Sequence, residues 1–238
     1  AYPLRITYLA AAKMLHEKGK RPFLRIARAI PKSLFQTDLR SVVTALDILK
    51  HKGLVSIFPE GQISSFGASQ KSPFSIAKFL KKAGVNVYVI QHRNVALMSP
   101  PWSTHQFRGP TFTSVKLLCS AEEIKTLDDQ AVYQKVEEGL YFNTGDYNRI
   151  HRHRYHVTDI SNLENLIYEC PQCGHHGLTV KGKTLVCPQC GHSMTYDDYG
   201  FLEGKSIFEH YQRQRETIAR KIAEDPHFVL SAPVSLVR

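Results

Sequence analysis

Apolar positions change their spacing several times along the chain, and each change predicts an element. Leu39, Val42, Val43, Leu46 and Leu49 recur at the spacing of an amphipathic helix, with Thr37 or Asp38 as N-cap and Gly53 just past its end. Leu54 to Phe58 is a short apolar run with almost no polar alternation, as in a strand covered on both faces of a parallel sheet, and Pro59 stops it. A polar loop from Glu60 to Lys71 leads into a second helix, with Ser72 as N-cap, Pro73 at the first position and Gly84 beyond the end. Val85 to Ile90 reads as the next strand. Strand, loop, helix and strand in that order predict a right-handed βαβ crossover, whose ligands sit beyond the carboxyl ends of the strands. The loop beginning at Pro59 is therefore a candidate site.

A further apolar run, Ser114 to Cys119, and a helical stretch from Ala121 to Tyr141 complete a first domain, assigned to residues 1–150. The basic hexapeptide His151-Arg152-His153-Arg154-Tyr155-His156 marks its edge. A cysteine-bearing module follows over 165–200. The last region, 201–238, carries a helix from about Ser206 to Glu224 with Ile207, Tyr211, Ile218 and Ile222 on one face, and a terminal strand pair at Phe228–Leu230 and Val234–Val237. The expected class is α/β: a central, largely parallel sheet flanked by helices, a small zinc-ribbon module and a carboxyl-terminal helix.

The hexapeptide Cys-Pro-Gln-Cys-Gly-His occurs twice, at Cys170–His175 and Cys187–His192. A Cys-x-x-Cys turn aims two thiolates at one ion, so Cys170, Cys173, Cys187 and Cys190 form a candidate tetrahedral zinc site. Four protein ligands leave no open position, which makes the expected zinc structural. Two redox dithiols would need a thioredoxin-like βαβ context, and the flanking sequence has none. His175, His176 and His192 are read as solvated or supporting side chains. A short hairpin around Lys181-Gly182-Lys183 joins the two knuckles.

Lys and Arg outnumber Asp and Glu by 31 to 21, a formal net charge of +10, which suits an anionic partner: nucleic acid, phosphorylated metabolites or an anionic membrane surface. Four of the five cysteines lie in metal-type pairs and Cys119 stands alone, which points to a reducing, cytoplasmic setting. No run of about 18 apolar residues is present for a spanning helix, and the amino end lacks signal-peptide patterning.

Phe58-Pro59-Glu60-Gly61-Gln62-Ile63-Ser64 resembles the Phe-Pro-Glu-Gly-Thr-Arg-Ser motif of the glycerolipid acyltransferases, the 1-acylglycerol-3-phosphate acyltransferase family. Ala29-Ile30-Pro31-Lys32-Ser33 stands in the place of that family's second block and Val85-Asn86-Val87-Tyr88-Val89 in that of its fourth, so the resemblance covers about residues 1–145. It implies an acyltransferase-like fold and transfer of a fatty acyl group from acyl-CoA or acyl-carrier protein to a lysophospholipid or glycerol-phosphate hydroxyl. It further implies a protein peripheral at the inner face of the cell membrane. Phe58, Pro59, Glu60, Gly61 and Ser64 become expected substrate-binding residues. Ile63 replaces the motif's arginine and the second block lacks its own, which leaves Lys32 and Arg40 as expected phosphate ligands. The family's His-x-x-x-x-Asp base motif has no counterpart ahead of Pro59, so the general-base histidine is expected before residue 1 and the chain alone is expected to be inactive. The formal match from His192 to Asp197 follows the metal knuckle, on the wrong side of the Glu-Gly block. Two rivals remain: a zinc-ribbon nucleic-acid-binding protein, favoured by the basic segment 151–156 but disfavoured because the ribbon hairpin offers only Lys181 and Lys183, and a lipid-binding scaffold without turnover.

Overall fold

The computed structural model describes residues 6–16, 19, 21–33, 38–225 and 227–229. In chain order the elements are β1 (Ile6–Ala11), α1 (Arg21–Ile26), β2 (Ile30–Lys32), α2 (Leu39–Lys50), β3 (Leu54–Ser56), α3 (Ser75–Ala83), β4 (Val87–Arg93) and α4 (Val95–Met98). They continue with β5 (Phe112–Cys119), α5 (Ala121–Thr126), α6 (Asp129–Leu140), α7 (Thr144–His151), β6 (Thr179–Lys181), β7 (Thr184–Val186), β8 (Ser193–Thr195), β9 (Phe201–Leu202), β10 (Lys205–Ser206) and α8 (Ile207–Glu224). The class is mixed α/β. No helix among the described residues is long and apolar enough to cross a membrane.

The chain divides into two compact units. Unit 1 takes in the described residues up to Ser64 with Ser69–His92 and Thr113–Phe142; unit 2 takes in Ser65–Ala68, Arg93–Phe112 and the described residues from Asn143 on. The division falls at Phe142 and Asn143 rather than near residue 150, and two short segments from earlier in the chain join unit 2.

In unit 1 the central strand β1 pairs in parallel with β3 through Ile6–Tyr8 and with β2 through Leu9–Ala11, in the order β2-β1-β3. β4 pairs with β5 in a separate ladder, which corrects the single large parallel sheet and the β3-to-β4 crossover expected from spacing. β3 stops at Ser56, and a turn closed by Gly61 N–H donating to the Phe58 carbonyl (3.1 Å) leads the chain away.

Asp38 caps α2, its Oδ1 accepting from Ser41 N at 3.0 Å; Thr37 lies outside the described residues. The most buried positions of α2 are Ser41 and Ala45, whereas Leu39 and Val43 stay exposed, so the small residues make the closest approach. α3 begins at Ser75 instead of Pro73, because the Ser72 N–H donates to Glu137 Oε1 (3.0 Å) and its carbonyl accepts from the Tyr133 hydroxyl (2.9 Å). Gly84 ends the helix as its spacing predicts, at φ 59° in the left-handed region. The expected single helix over 121–141 is two: Leu127 turns extended and Asp128 caps a new start, its Oδ1 accepting from Ala131 N at 2.7 Å.

Unit 2 holds the main core. β6, β7 and β8 form an antiparallel three-stranded sheet, with a two-residue turn at Gly182 (φ 61°) and Lys183. Strands this short cannot bury a core alone. Leu185 and Met194 instead join Ile160, Leu163, Ile167, Leu202 and Tyr196 in one buried cluster, so the module and the region after it are not separate. α8 starts in a capping box between Ser206 and Glu209. On its buried face, Gln214 Oε1 accepts from the Tyr168 and Glu169 N–H groups at 3.0 and 3.1 Å. The expected strand pair beyond α8 lies largely outside the described residues; Phe228 and Val229 are not in a strand.

Candidate metal centre and anion cleft

The duplicated hexapeptide folds twice into the same turn. In the first knuckle Gly174 N–H donates to Cys170 O (3.0 Å) and Cys170 N–H to His175 O (2.9 Å); in the second Gly191 N–H donates to Cys187 O (3.0 Å) and Cys187 N–H to His192 O (2.8 Å). Gly174 and Gly191 sit at φ 72° and 73°, where a Cβ would be strained, so each glycine is part of the turn. The two turns bring the sulfurs of Cys170, Cys173, Cys187 and Cys190 within 4.8 Å of one another. The Cys170–Cys190 and Cys173–Cys187 sulfurs are each 3.7 Å apart, too far for a disulfide bond of about 2.05 Å. The spacing matches the edge of a tetrahedron about a central ion at about 2.3 Å, which is about 3.8 Å.

Electrostatics in the cluster point the same way. The Cys187 thiol is lowered to about 7: burial opposes the thiolate, but N–H groups of Cys190 and Gln189 together with neighbouring sulfurs outweigh it. Cys173 is pushed up to about 12; the His175 N–H favours its thiolate, and burial and the other three sulfurs overcome that. Cys190 is raised as well: the N–H of His192 and the Cys173 sulfur favour its thiolate, and burial with the Cys187 and Cys170 sulfurs overcomes them. Four sulfurs this close cannot all ionise without a cation among them, so the donor set fits a metal ion.

Glu169, next to Cys170, is a residue the sequence did not flag. Its side chain is almost wholly enclosed, and its carboxylate lies 3.4 Å from Arg213 Nη1, 3.4 Å from His176 Nε2 and 3.7 Å from Lys221 Nζ. Arg213 also donates to the Glu169 carbonyl at 2.9 Å, fastening α8 beside the first knuckle. His192 and Asp197 do unrelated work: His192 Nε2 lies 3.4 Å from Glu203, while Asp197 Oδ1 accepts from Tyr199 and Phe201 N–H groups at 2.9 Å each.

In unit 1 a cleft of about 440 Å³ runs along α2 and is lined by Arg28, Pro31, Arg40, Thr44 and Gly53 among others. The Ser41 and Thr44 hydroxyls already donate to Asp38 O (3.1 Å) and Arg40 O (2.8 Å), and Arg28 and Arg40 are the charged residues of the lining. Of the expected substrate residues only Arg40 lines the cleft. Lys32 ends β2 beside Asp38, whose carboxyl is held below its ordinary value first by the Ser41 N–H and then by that of Ser33, with Lys32 assisting. Phe58 and Gly61 are exposed, with Pro59 and Ser64 half-buried.

Glu60 is half-buried, and its Oε2 accepts from Gln70 N at 3.0 Å, while the Gln62 amide donates to Gln70 Oε1. Burial, with Glu137 nearby, raises the Glu60 carboxyl above its ordinary value in spite of the Gln70 bond. Glu60 thus ties the two ends of its loop. Arg28 was missed in the sequence because its only mark is conformational: it occupies the left-handed region at φ 50°, just after α1. Compared with family models, curated proteins and solved structures, the chain matches none.

Proposed function

We propose that the chain is an acyltransferase-type protein that takes a phosphorylated acceptor in unit 1 and holds one structural zinc ion in unit 2. The observation that carries the first part is a cleft beside the β2-β1-β3 sheet whose lining includes both Arg28 and Arg40, in the same unit as the Pro59-Glu60-Gly61 turn that resembles an acyltransferase block. Two guanidiniums in a cleft of this size suit a glycerol-phosphate or lysophospholipid headgroup. In the reaction, an acceptor hydroxyl attacks the carbonyl carbon of an acyl thioester; the new C–O bond replaces the C–S bond, the thiol leaves, and a base takes the hydroxyl proton. The residues of the cleft account for holding the headgroup, and Glu60 for shaping the loop.

Zinc is the metal because four thiolates in a closed tetrahedron suit it and leave no position for substrate or water. Its role is to join two knuckles that share a core with the strands behind them.

The test measures glycerol 3-phosphate binding. Arg28→Ala and Arg40→Ala should each weaken acceptor binding about tenfold or more, as expected for loss of a charge-assisted contact. Acceptor binding unchanged in both variants would sink the acceptor reading. Metal analysis should return one zinc per chain.

A further inference from the structure

We propose that the end of α7 and the basic segment after it form a docking surface for an anionic lipid bilayer. Arginines mounted on aromatic rings meet the headgroups there, and Ile150 enters the interface.

The surface is built from stacked rings. Tyr147 and His151 lie 4.1 Å apart, His151 and His153 stack in parallel at 5.7 Å, and His153 meets Phe112 at 4.6 Å. Two cations rest on this aromatic framework: the Arg93 guanidinium 5.5 Å over Tyr147 and that of Arg152 4.0 Å over Tyr199. A guanidinium held on a ring loses less freedom when it meets an anion.

Arg152 is also held in a strained backbone conformation, φ 54°, that L residues seldom adopt. The fully buried Asn148 maintains it, donating to the carbonyls of His153 (2.9 Å) and Tyr199 (2.7 Å) and accepting from His153 N (3.0 Å). A buried amide therefore fixes an exposed cation. Within the 149–154 segment, Arg149 and Arg154 form ion pairs with Glu209 (2.7 Å) and Asp198 (2.9 Å). Ile150, 78% exposed, lies one helical turn after Tyr147 and between Arg149 and Arg152 in the sequence.

Lipid fits this surface better than nucleic acid. Tyr147, Phe112 and Tyr199 each have an imidazole or guanidinium against a face, so the array does not offer the bare rings on which bases stack. An exposed isoleucine framed by arginines suits the boundary between headgroups and acyl chains. The net charge of +10 complements an anionic leaflet. The choice of lipid rests in part on the acyl-transfer reading, whose acceptor is amphiphilic.

The test is co-sedimentation of the full chain with vesicles of phosphatidylglycerol mixed with phosphatidylcholine, and with vesicles of phosphatidylcholine alone. Binding to the first and not the second is expected. Arg93→Ala combined with Arg152→Gly, the glycine suiting the left-handed position, should weaken partitioning about 25-fold, at about fivefold per arginine. Ile150→Asp should weaken it further. Zinc content reports that the variants are folded. Equal binding to both vesicle types, or zinc-loaded variants that bind like the parent chain, would overturn the proposal. So would tighter binding of a single-stranded oligonucleotide that the same substitutions abolish. The two readings fail separately: loss of vesicle binding with glycerol 3-phosphate binding intact removes only the docking surface, and the converse removes only the acceptor site.

Discussion

In unit 2, Ile160, Leu163, Ile167, Leu185, Met194 and Leu202 are completely enclosed, whereas in unit 1 Leu39, Val43, Val115 and Leu117 keep between 54% and 70% of their surface exposed. Both units carry clear apolar patterning, so the difference lies in what each pattern meets. The knuckles of unit 2 fold short strands back onto one another, and each inward side chain finds a partner from 155–167 or from α8. In unit 1 one group of enclosed residues lies where α3, α5 and α6 pack, at Ala77, Ile124, Val132 and Val136. On α2 and the β4-β5 ladder Leu39, Val43, Tyr88, Val115 and Leu117 stay exposed, while Ala45, Val89 and Cys119 are enclosed. Among the described residues, the large and fully enclosed side chains thus lie almost all in unit 2.

Removing the metal is the strongest challenge to this contrast. Chelation, or Cys187→Ser, should take metal content from one ion per chain to none and cost on the order of 10 kcal/mol of local stability. Hydrogen exchange should show residues 155–202 losing protection while α3 and α6 keep theirs; simultaneous loss in both would erase the distinction between the units. Next in size, Leu185→Ala should destabilise unit 2 by about 2–5 kcal/mol, because a wholly enclosed leucine leaves a cavity. A cost below about 1 kcal/mol in denaturant unfolding would mean that the core is not closed there.

Glu60→Gln sharpens the account of unit 1. The folded carboxyl is raised above its ordinary value of 4.5, so the stability it contributes is complete below that pH and is lost as pH rises through the folded value. Glutamine keeps an acceptor for Gln70 N and cannot ionise. The variant should lose that part of the pH dependence and be at least as stable as the parent at neutral pH; a steeper decline above 4.5 in the variant would contradict the sign. The smallest effect belongs to Val43→Ala, within about 0.5 kcal/mol, since that side chain is already in water. A larger loss on thermal unfolding would show that Val43 is covered in solution.

The sequence by itself determined whatever depends on neighbours a few residues away. The helix over 39–50, the glycine stop at Gly84, the start of α8 at Ser206 and the two Cys-x-x-Cys turns all follow from local hydrogen bonding and φ preference, and all were legible. The four ligand candidates were legible too, because each knuckle fixes two sulfurs within one turn. Tertiary structure decided which strands pair, that β4 joins β5 instead of β3, and that Ser41 and Ala45 rather than Leu39 and Val43 face inward. It also decided that Arg28 and Arg40 line one cleft while Glu60 turns to its own loop. The physical reason is range: a turn or a cap is satisfied within its own few residues, whereas pairing and burial depend on groups far along the chain, whose positions no local pattern encodes.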